Sequence, residues 1–278
     1  MIIKGKPIAD KITEDLKNEL KSLKKDRNPK LSIIRVGNNP DDISYEKNAI
    51  KRCENIGIEC EVITLLDDIS KKEYIDILDR LNNDNLVDGI LCLRPLPKNI
   101  NEDEIKYFIS DKKDVDCFNP INMAKIIEGD RSGFSPCTPM SVIETLKCYD
   151  VDLNGANVCV VGRSNIVGKP CSMLLLNENA TVTICHSKTK DLESITSKAD
   201  ILIVAVGKAK MIKSNFVKEN SVVIDVGINF EDGILCGDVD TDDVLDKVSM
   251  ITPVPFGVGS VTTSILAKQV IKAYKNNI

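Results

Sequence analysis

Gly162-Arg-Ser-Asn-Ile-Val-Gly-Lys-Pro170 is the stretch whose reading decides the fold of this chain. It follows an apolar run, Asn157-Val-Cys-Val-Val161, and leads into a helix-like segment, Cys171-Ser-Met-Leu-Leu-Leu176. A glycine pattern has physical meaning in such a strand–turn–helix setting. Glycine at the first position lets the chain turn sharply without a Cβ clash. Backbone N–H groups at a helix start carry partial positive charge and lack intrahelical partners, so they can receive a phosphate. The stretch reads as a dinucleotide site, although an ordinary strand-to-helix turn fits the same letters until the rest of the chain is weighed.

Downstream, the alternation continues. Strands are expected at 157–161, 181–185, 201–206 and 222–226, with a short one near 249–252. Helices are expected from about 168, at 191–198, and from Val261 to about Tyr274. Upstream, Ile8, Ile12, Leu16, Leu20 and Leu23 recur at near-helical spacing between Pro7 and about Lys25. A strand at 31–36 follows. The next helix, from about Asp41 to Ile56, puts Tyr45, Ala49, Cys53 and Ile56 on one face and stops at Gly57. Strand 61–65, helix 71–81 and strand 87–93 complete the first half, while Asp114 to about Thr138 reads as a polar loop before a helix at 139–148. Strands separated by single amphipathic helices imply parallel, doubly wound sheets. The economical architecture is two α/β domains, the second Rossmann-like, with a cleft between them. The division is residues 1–138 plus 258–278, and residues 139–257.

Composition bounds the partners. With 278 residues and a net charge of −5, the chain has room for two cores and lacks the basic balance of a nucleic-acid binder. No apolar run approaches a membrane span and no signal-peptide core is present, which points to a cytoplasmic protein. The ten cysteines include no Cys-x-x-Cys pair and read as reduced core residues. With His186 the only histidine, a multi-histidine metal site is ruled out, and no metal is expected.

The second strand of the nucleotide half ends in His186-Ser-Lys-Thr-Lys190, with no carboxylate before Asp191. NAD sites place an Asp or Glu there for the ribose hydroxyls, whereas NADP sites tolerate a phosphate. Hydroxyls, two lysines and Arg163 suit a 2′-phosphate. An exposed basic loop is the alternative.

Over nearly its whole length the sequence resembles the bifunctional methylenetetrahydrofolate dehydrogenase/methenyltetrahydrofolate cyclohydrolase family. The resemblance is carried by Gly162-Arg-Ser-x-Ile-Val-Gly-x-Pro170, His186-Ser187 with Thr189, Asp225-Val-Gly-Ile-Asn229 and Gly237-Asp-Val239. Lys113-Asp-Val-Asp116, Pro136-Cys-Thr-Pro139, Pro95-Leu-Pro97, Thr252-Pro-Val-Pro255 and Gly257-Val-Gly259 add to it. It implies NADP as hydride acceptor, tetrahydrofolate derivatives as substrates and a homodimer. It also implies cofactor contacts at Gly162, Arg163, Ser164, Ile166, Gly168, His186, Ser187, Thr189, Gly207 and Asn229. Substrate contacts are implied at Tyr45, Asp116, Pro255 and Gly259, with Tyr45 facing the folate and Asp116 holding the amino-pyrimidine edge of the pterin. A partly buried core tyrosine is the plainer reading of Tyr45.

Departures from the family pattern cluster in the folate half. The family helix reads Tyr-x-x-x-Lys, with the lysine assigned to catalysis, and the residue here is Ala49. The family glutamine that supports this lysine is Leu93. Cys117 and Phe256 stand where the family has glycine, and Pro40-Asp41-Asp42 replaces Pro-Ala-Ser. Strand alternation favours an Arg94 directed away from the cleft, the alternative being that it reaches the cleft and substitutes electrostatically. The expectation is an NADP-dependent methylenetetrahydrofolate dehydrogenase with doubtful cyclohydrolase activity, the catalytic positions being Tyr45 and Asp116. Full bifunctionality and a repurposed folate- or nucleotide-binding relative are the alternatives.

Overall fold

A computed structural model describes residues 1–23, 26–231 and 233–277. Lys24 and Lys25, where the first predicted helix ends, and Ile278 lie outside the described residues. The first half runs α1 (Gly5–Ser22), β1 (Lys30–Val36), α2 (Pro40–Ile56), β2 (Glu59–Leu65), α3 (Lys71–Asn83), β3 (Gly89–Cys92), α4 (Glu102–Ile105), α5 (Pro120–Glu128) and α6 (Cys137–Cys148). There follow β4 (Asn157–Val161), α7 (Gly168–Asn177), β5 (Thr181–Cys185), α8 (Leu192–Thr196), β6 (Ile201–Val204) and β7 (Val222–Asp225). The chain ends with β8 (Asn229–Glu231), β9 (Ile234–Cys236), α9 (Thr241–Val244), β10 (Met250–Ile251) and α10 (Gly259–Asn277).

The chain forms two compact units. One comprises Met1–Ala9 with Thr138–Thr262, the other Asp10–Cys137 with the chain from Thr263 onward. The first nine residues therefore group with the nucleotide half, where the sequence division puts them in the other. The reason is backbone pairing: Ile3 N–H donates to Ile251 O at 2.8 Å and Ile251 N–H to Met1 O at 2.9 Å.

In the nucleotide unit, five parallel strands lie in the order β10-β7-β6-β4-β5. Val158 and Val160 pack into one core with Val142, Leu146 and Leu175, while Cys159 and Val161 face a second core with Leu202, Val204 and Val239. Successive side chains point to opposite faces of a strand, so a sheet covered on both sides needs the unbroken apolar runs read in the sequence. β5 lies on one side of β4 and β6 on the other. The carboxyl end of β4, where Gly162 begins, is thus the topological switch point at which such sheets bind ligands.

The other unit repeats the logic with a three-stranded parallel sheet, β2-β1-β3. Its core includes Ile34, Tyr74, Leu78, Leu81 and Ile90. α2 starts at the Asn39 cap with Pro40 in its first turn and ends at Gly57, whose φ of 103° only glycine adopts readily. Ser70 and Glu73 form a reciprocal capping box on α3.

One predicted loop is wrong in part. Within 114–138 the structure has α5, capped by Asn119, with Pro120 in its first turn and Gly129 at φ 73° after its end. The Asn, Pro and Gly that give this stretch a loop-like composition are the start and stop signals of a short helix. The β8–β9 hairpin and α9 were also not expected from the sequence; strands of three residues and a single helical turn carry too little periodicity to read.

Candidate active site

The turn after β4 is built by two steric exclusions. Gly162 has φ 134°, and a Cβ there would lie 2.3 Å from Ala205 O; at Gly168 a Cβ would lie 2.2 Å from Gly162 O. Both positions need glycine, so helix α7 approaches the strand end closely. Ser164 Oγ accepts hydrogen bonds from Val167 N–H at 3.0 Å and Gly168 N–H at 3.4 Å. This refines the sequence reading, because two of the N–H groups at the helix start already have a partner within the turn. Arg163 and Ile166 are exposed.

Gly162 N–H donates to Cys185 O at 2.9 Å, which brings this turn beside the end of β5. There His186 N–H donates to Thr189 Oγ1 at 2.8 Å, Thr189 N–H to His186 O at 2.8 Å, and Lys188 N–H to His186 Nδ1 at 3.1 Å. The histidine and threonine close the turn, and Ser187, Lys188 and Lys190 are left exposed. Hydroxyl and ammonium groups around a fixed turn, beside Arg163, are a suitable donor set for a phosphate.

The third strand end is organised by a buried carboxylate that the sequence reading passed over. Asp238 Oδ2 accepts from Val206 N–H at 2.6 Å and Gly207 N–H at 3.1 Å; Oδ1 accepts from Lys208 N–H at 2.7 Å and the Asn229 side-chain amide at 2.9 Å. Asp238 therefore shapes the Gly207 loop and aims Asn229. Asp225, also buried, accepts from the N–H groups of Gly227, Asp238 and Val239. Burial pushes its carboxyl up to about 7 against the pull of those donors. A Cβ at Gly237 would lie 1.9 Å from Asp225 Oδ2, and one at Gly227 would lie 2.1 Å from Asp238 Cγ. The sequence signal was present: an Asp-x-Gly and a Gly-Asp in which each glycine makes room for the other motif's carboxylate. In the loop before α10, Pro255 is exposed and Phe256 is 68% exposed at φ 79°; Gly259, the first residue of α10, is exposed too.

In the other unit, α2 presents Tyr45 half-buried, with Ala49 one turn on and fully buried. Desolvation, reinforced by Cys137 and Asp116, pushes the Tyr45 phenol well above the ordinary range, so the ring is neutral. Lys47 and Lys51 are exposed. Leu93 is buried and its N–H donates to Ile34 O at 2.9 Å, extending the ladder beyond β3. Asp116 Oδ1 accepts from Cys137 N–H at 2.8 Å.

Arg94 corrects the sequence expectation. Its Nη2 donates to Asp116 Oδ2 at 3.3 Å, and its guanidinium lies 4.6 Å from the Phe118 ring centroid. β3 ends at Cys92, so the period-two rule that directed Arg94 elsewhere does not extend to it. Lys113 and Asp114 are structural. Lys113 Nζ donates to the carbonyls of Leu81 and Asp84, and buried Asp114 accepts from Phe118 N–H, Asn119 N–H and the Asn122 amide. Asp114 thereby folds the turn that presents Asp116, with Cys117 at φ 56° in the position the family gives to glycine.

None of the ten cysteines is in a disulfide, and no helix of the described residues is long and apolar enough to cross a membrane. Residues 3–116 match the catalytic domain of tetrahydrofolate dehydrogenase/cyclohydrolase, and residues 136–278 match its NAD(P)-binding domain. The chain is 65% identical to the bifunctional protein FolD of Clostridioides difficile over 99% of its own length and 96% of that protein. The bifunctional FolD structure from Campylobacter jejuni superposes with a TM-score of 0.97 at 44% identity, covering 100% of this chain and 99% of that one. The Trypanosoma brucei methylenetetrahydrofolate dehydrogenase-cyclohydrolase, solved with NADP and an inhibitor, gives a TM-score of 0.94 at 32% identity, covering 99% and 97%. The chain belongs to the tetrahydrofolate dehydrogenase/cyclohydrolase family and is a methylenetetrahydrofolate dehydrogenase with an NAD(P)-binding half.

Proposed function

We propose that this chain oxidises methylenetetrahydrofolate to methenyltetrahydrofolate with NADP, and that it hydrolyses the methenyl product weakly or not at all. The observation that carries the second clause is Ala49, fully buried at the position of the family lysine, with buried Leu93 at that of the glutamine.

The two reactions ask different things of the protein. The nicotinamide of NADP supplies the hydride-accepting carbon. The methylene carbon sits between two nitrogens whose lone pairs expel the hydride and delocalise the cation, so orientation carries most of the protein's contribution. Asp116 accepts from the N–H groups of the amino-pyrimidine edge, and the neutral ring of Tyr45 stacks on the pterin. On the cofactor side, Arg163 with Ser187, Lys188 and Lys190 would hold the 2′-phosphate, while the Gly162 and Gly168 contacts would let the backbone approach the pyrophosphate.

Hydrolysis requires water to add to the cation and protons to move as a C–N bond breaks. A side chain with a tuned pKa accelerates such transfers. Neither Ala49 nor Leu93 has a transferable proton, and an arginine stays protonated in proteins. The second reading, full bifunctionality, is favoured by the 65%-identical relative that carries the bifunctional name. Incubation with methylenetetrahydrofolate and NADP, following NADPH, methenyl and formyl products separately, decides between them. Enzyme-dependent formyl formation keeping pace with NADPH favours the second.

A homodimer is part of the proposal. Ile228, Phe230 and Ile234, in and beside the β8–β9 hairpin, are each more than half exposed and offer an apolar surface to a second copy. A monomer by sedimentation at assay concentration would remove it. Ten cysteines with no disulfide among them support a reducing, cytoplasmic setting.

A further inference from the structure

We propose that Arg94 is a positioning residue for the folate substrate, locking Asp116 in the orientation that receives the pterin edge. The proposal rests on the folate reading of Asp116 given above and goes beyond it. The family pattern has leucine just before Pro-Leu-Pro, where this chain has Arg94.

Four features point the same way. The Arg94 side chain is nearly buried, 12% exposed, yet it is directed at the one carboxylate expected to touch substrate. Its guanidinium is held from a second direction by the Phe118 face at 4.6 Å, so the contact does not depend on a free-swinging side chain. Asp116 remains 24% exposed, reachable by a ligand while paired. Finally, the neighbouring positions that would carry polar groups in the family, Ala49 and Leu93, are apolar and buried, so nothing on them competes for the carboxylate.

Counting lone pairs makes the arrangement specific. A carboxylate has about four acceptor sites. Cys137 N–H takes one on Oδ1 and Arg94 Nη2 takes one on Oδ2. The Cys137 thiol also engages this carboxylate, and the acceptor capacity that remains, on a side chain still 24% exposed, is what an amino-pyrimidine edge meets. Without Arg94, Asp116 keeps its contacts with Cys137 but loses the restraint on Oδ2, and that oxygen must be ordered when substrate binds. Arg94 thus supplies the countercharge of the site but, being permanently protonated, none of the proton transfer.

The test uses the full chain with Arg94→Leu and Arg94→Lys, measuring KM for each substrate, kcat, thermal unfolding, and tetrahydrofolate affinity by calorimetry. R94L is expected to weaken tetrahydrofolate and raise the folate KM by about tenfold. The NADP KM and kcat at saturation should stay within about twofold, and R94K should recover part of the folate KM. An active wild type whose folate KM is unchanged by R94L overturns this proposal alone. So does a parallel loss of both KM values with a lowered unfolding temperature, which would make Arg94 a structural prop. A wild type that binds tetrahydrofolate but makes no NADPH from methylenetetrahydrofolate overturns the proposed function and leaves the calorimetric test of Arg94 in force.

Discussion

Asp238→Asn removes one acceptor oxygen from the residue that organises the loop after β6, and its consequence can be worked from the structure. The side chain is fully buried and receives four N–H donors, two on each oxygen. An amide cannot turn so that every donor keeps an acceptor. Whichever way it sits, its NH2 group faces either Val206 and Gly207 or Lys208 and Asn229. Hydrogen bonds to a charged acceptor contribute about 1.5–3 kcal/mol each, so losing two sets an upper bound of about 3–6 kcal/mol. Gly207 and Lys208 are exposed, and water takes over part of that loss. A realised cost of about half the bound corresponds to about 10- to 100-fold in NADP affinity, if binding must reorder the loop. NADPH fluorescence titration gives the affinity, and thermal unfolding reports damage to the fold. The strands of the nucleotide sheet keep their packing in this variant, so affinity should fall out of proportion to stability. NADP affinity within about twofold of wild type would refute the claim that Asp238 shapes the cofactor site.

Other substitutions address the remaining parts. Ala49→Lys with Leu93→Gln should raise methenyl hydrolysis by about tenfold or more, since a positioned proton-transfer group contributes at least that much. The buried insertion should cost about 1–3 kcal/mol of stability in denaturant unfolding. Arg163→Ala should lower the ratio of kcat/KM for NADP over NAD by about fivefold, a surface arginine–phosphate contact having about that weight; an unchanged ratio would leave Arg163 outside the 2′-phosphate site. Phe256→Gly should stabilise the protein by about 1 kcal/mol in denaturant unfolding, because a bulky exposed residue at φ 79° is replaced by one that adopts it freely.

What could be read from the letters follows from what carries long periodic signals. Val158–Val161 and Ile201–Val204 are apolar on both faces, and parallel strands covered on two sides demand that pattern. Gly162 and Gly168 were readable because a missing Cβ is a strict steric demand. Tyr45, Ala49 and Cys53 share a face because helical spacing leaves little choice. Arg94 was misread because the alternation used to orient it ends with β3 at Cys92, one residue before Leu93. The work of Asp238, Asp225 and Asp114 is done through backbone N–H groups brought in by turns; Gly227 and Gly237 mark the first two in the sequence, and nothing comparable marks Asp114. Likewise α5 was hidden by its own caps, whose residues also make loops.

The most direct measurement incubates the purified chain with methylenetetrahydrofolate and NADP and follows NADPH and methenyltetrahydrofolate by independent signals, with formyl product quantified against an enzyme-free control. The predicted result is NADPH and methenyl product rising together, with conversion to formyl product no faster than in the control. Formyl product appearing in step with NADPH, with no methenyl accumulation, would contradict the role assigned to Ala49 and Leu93.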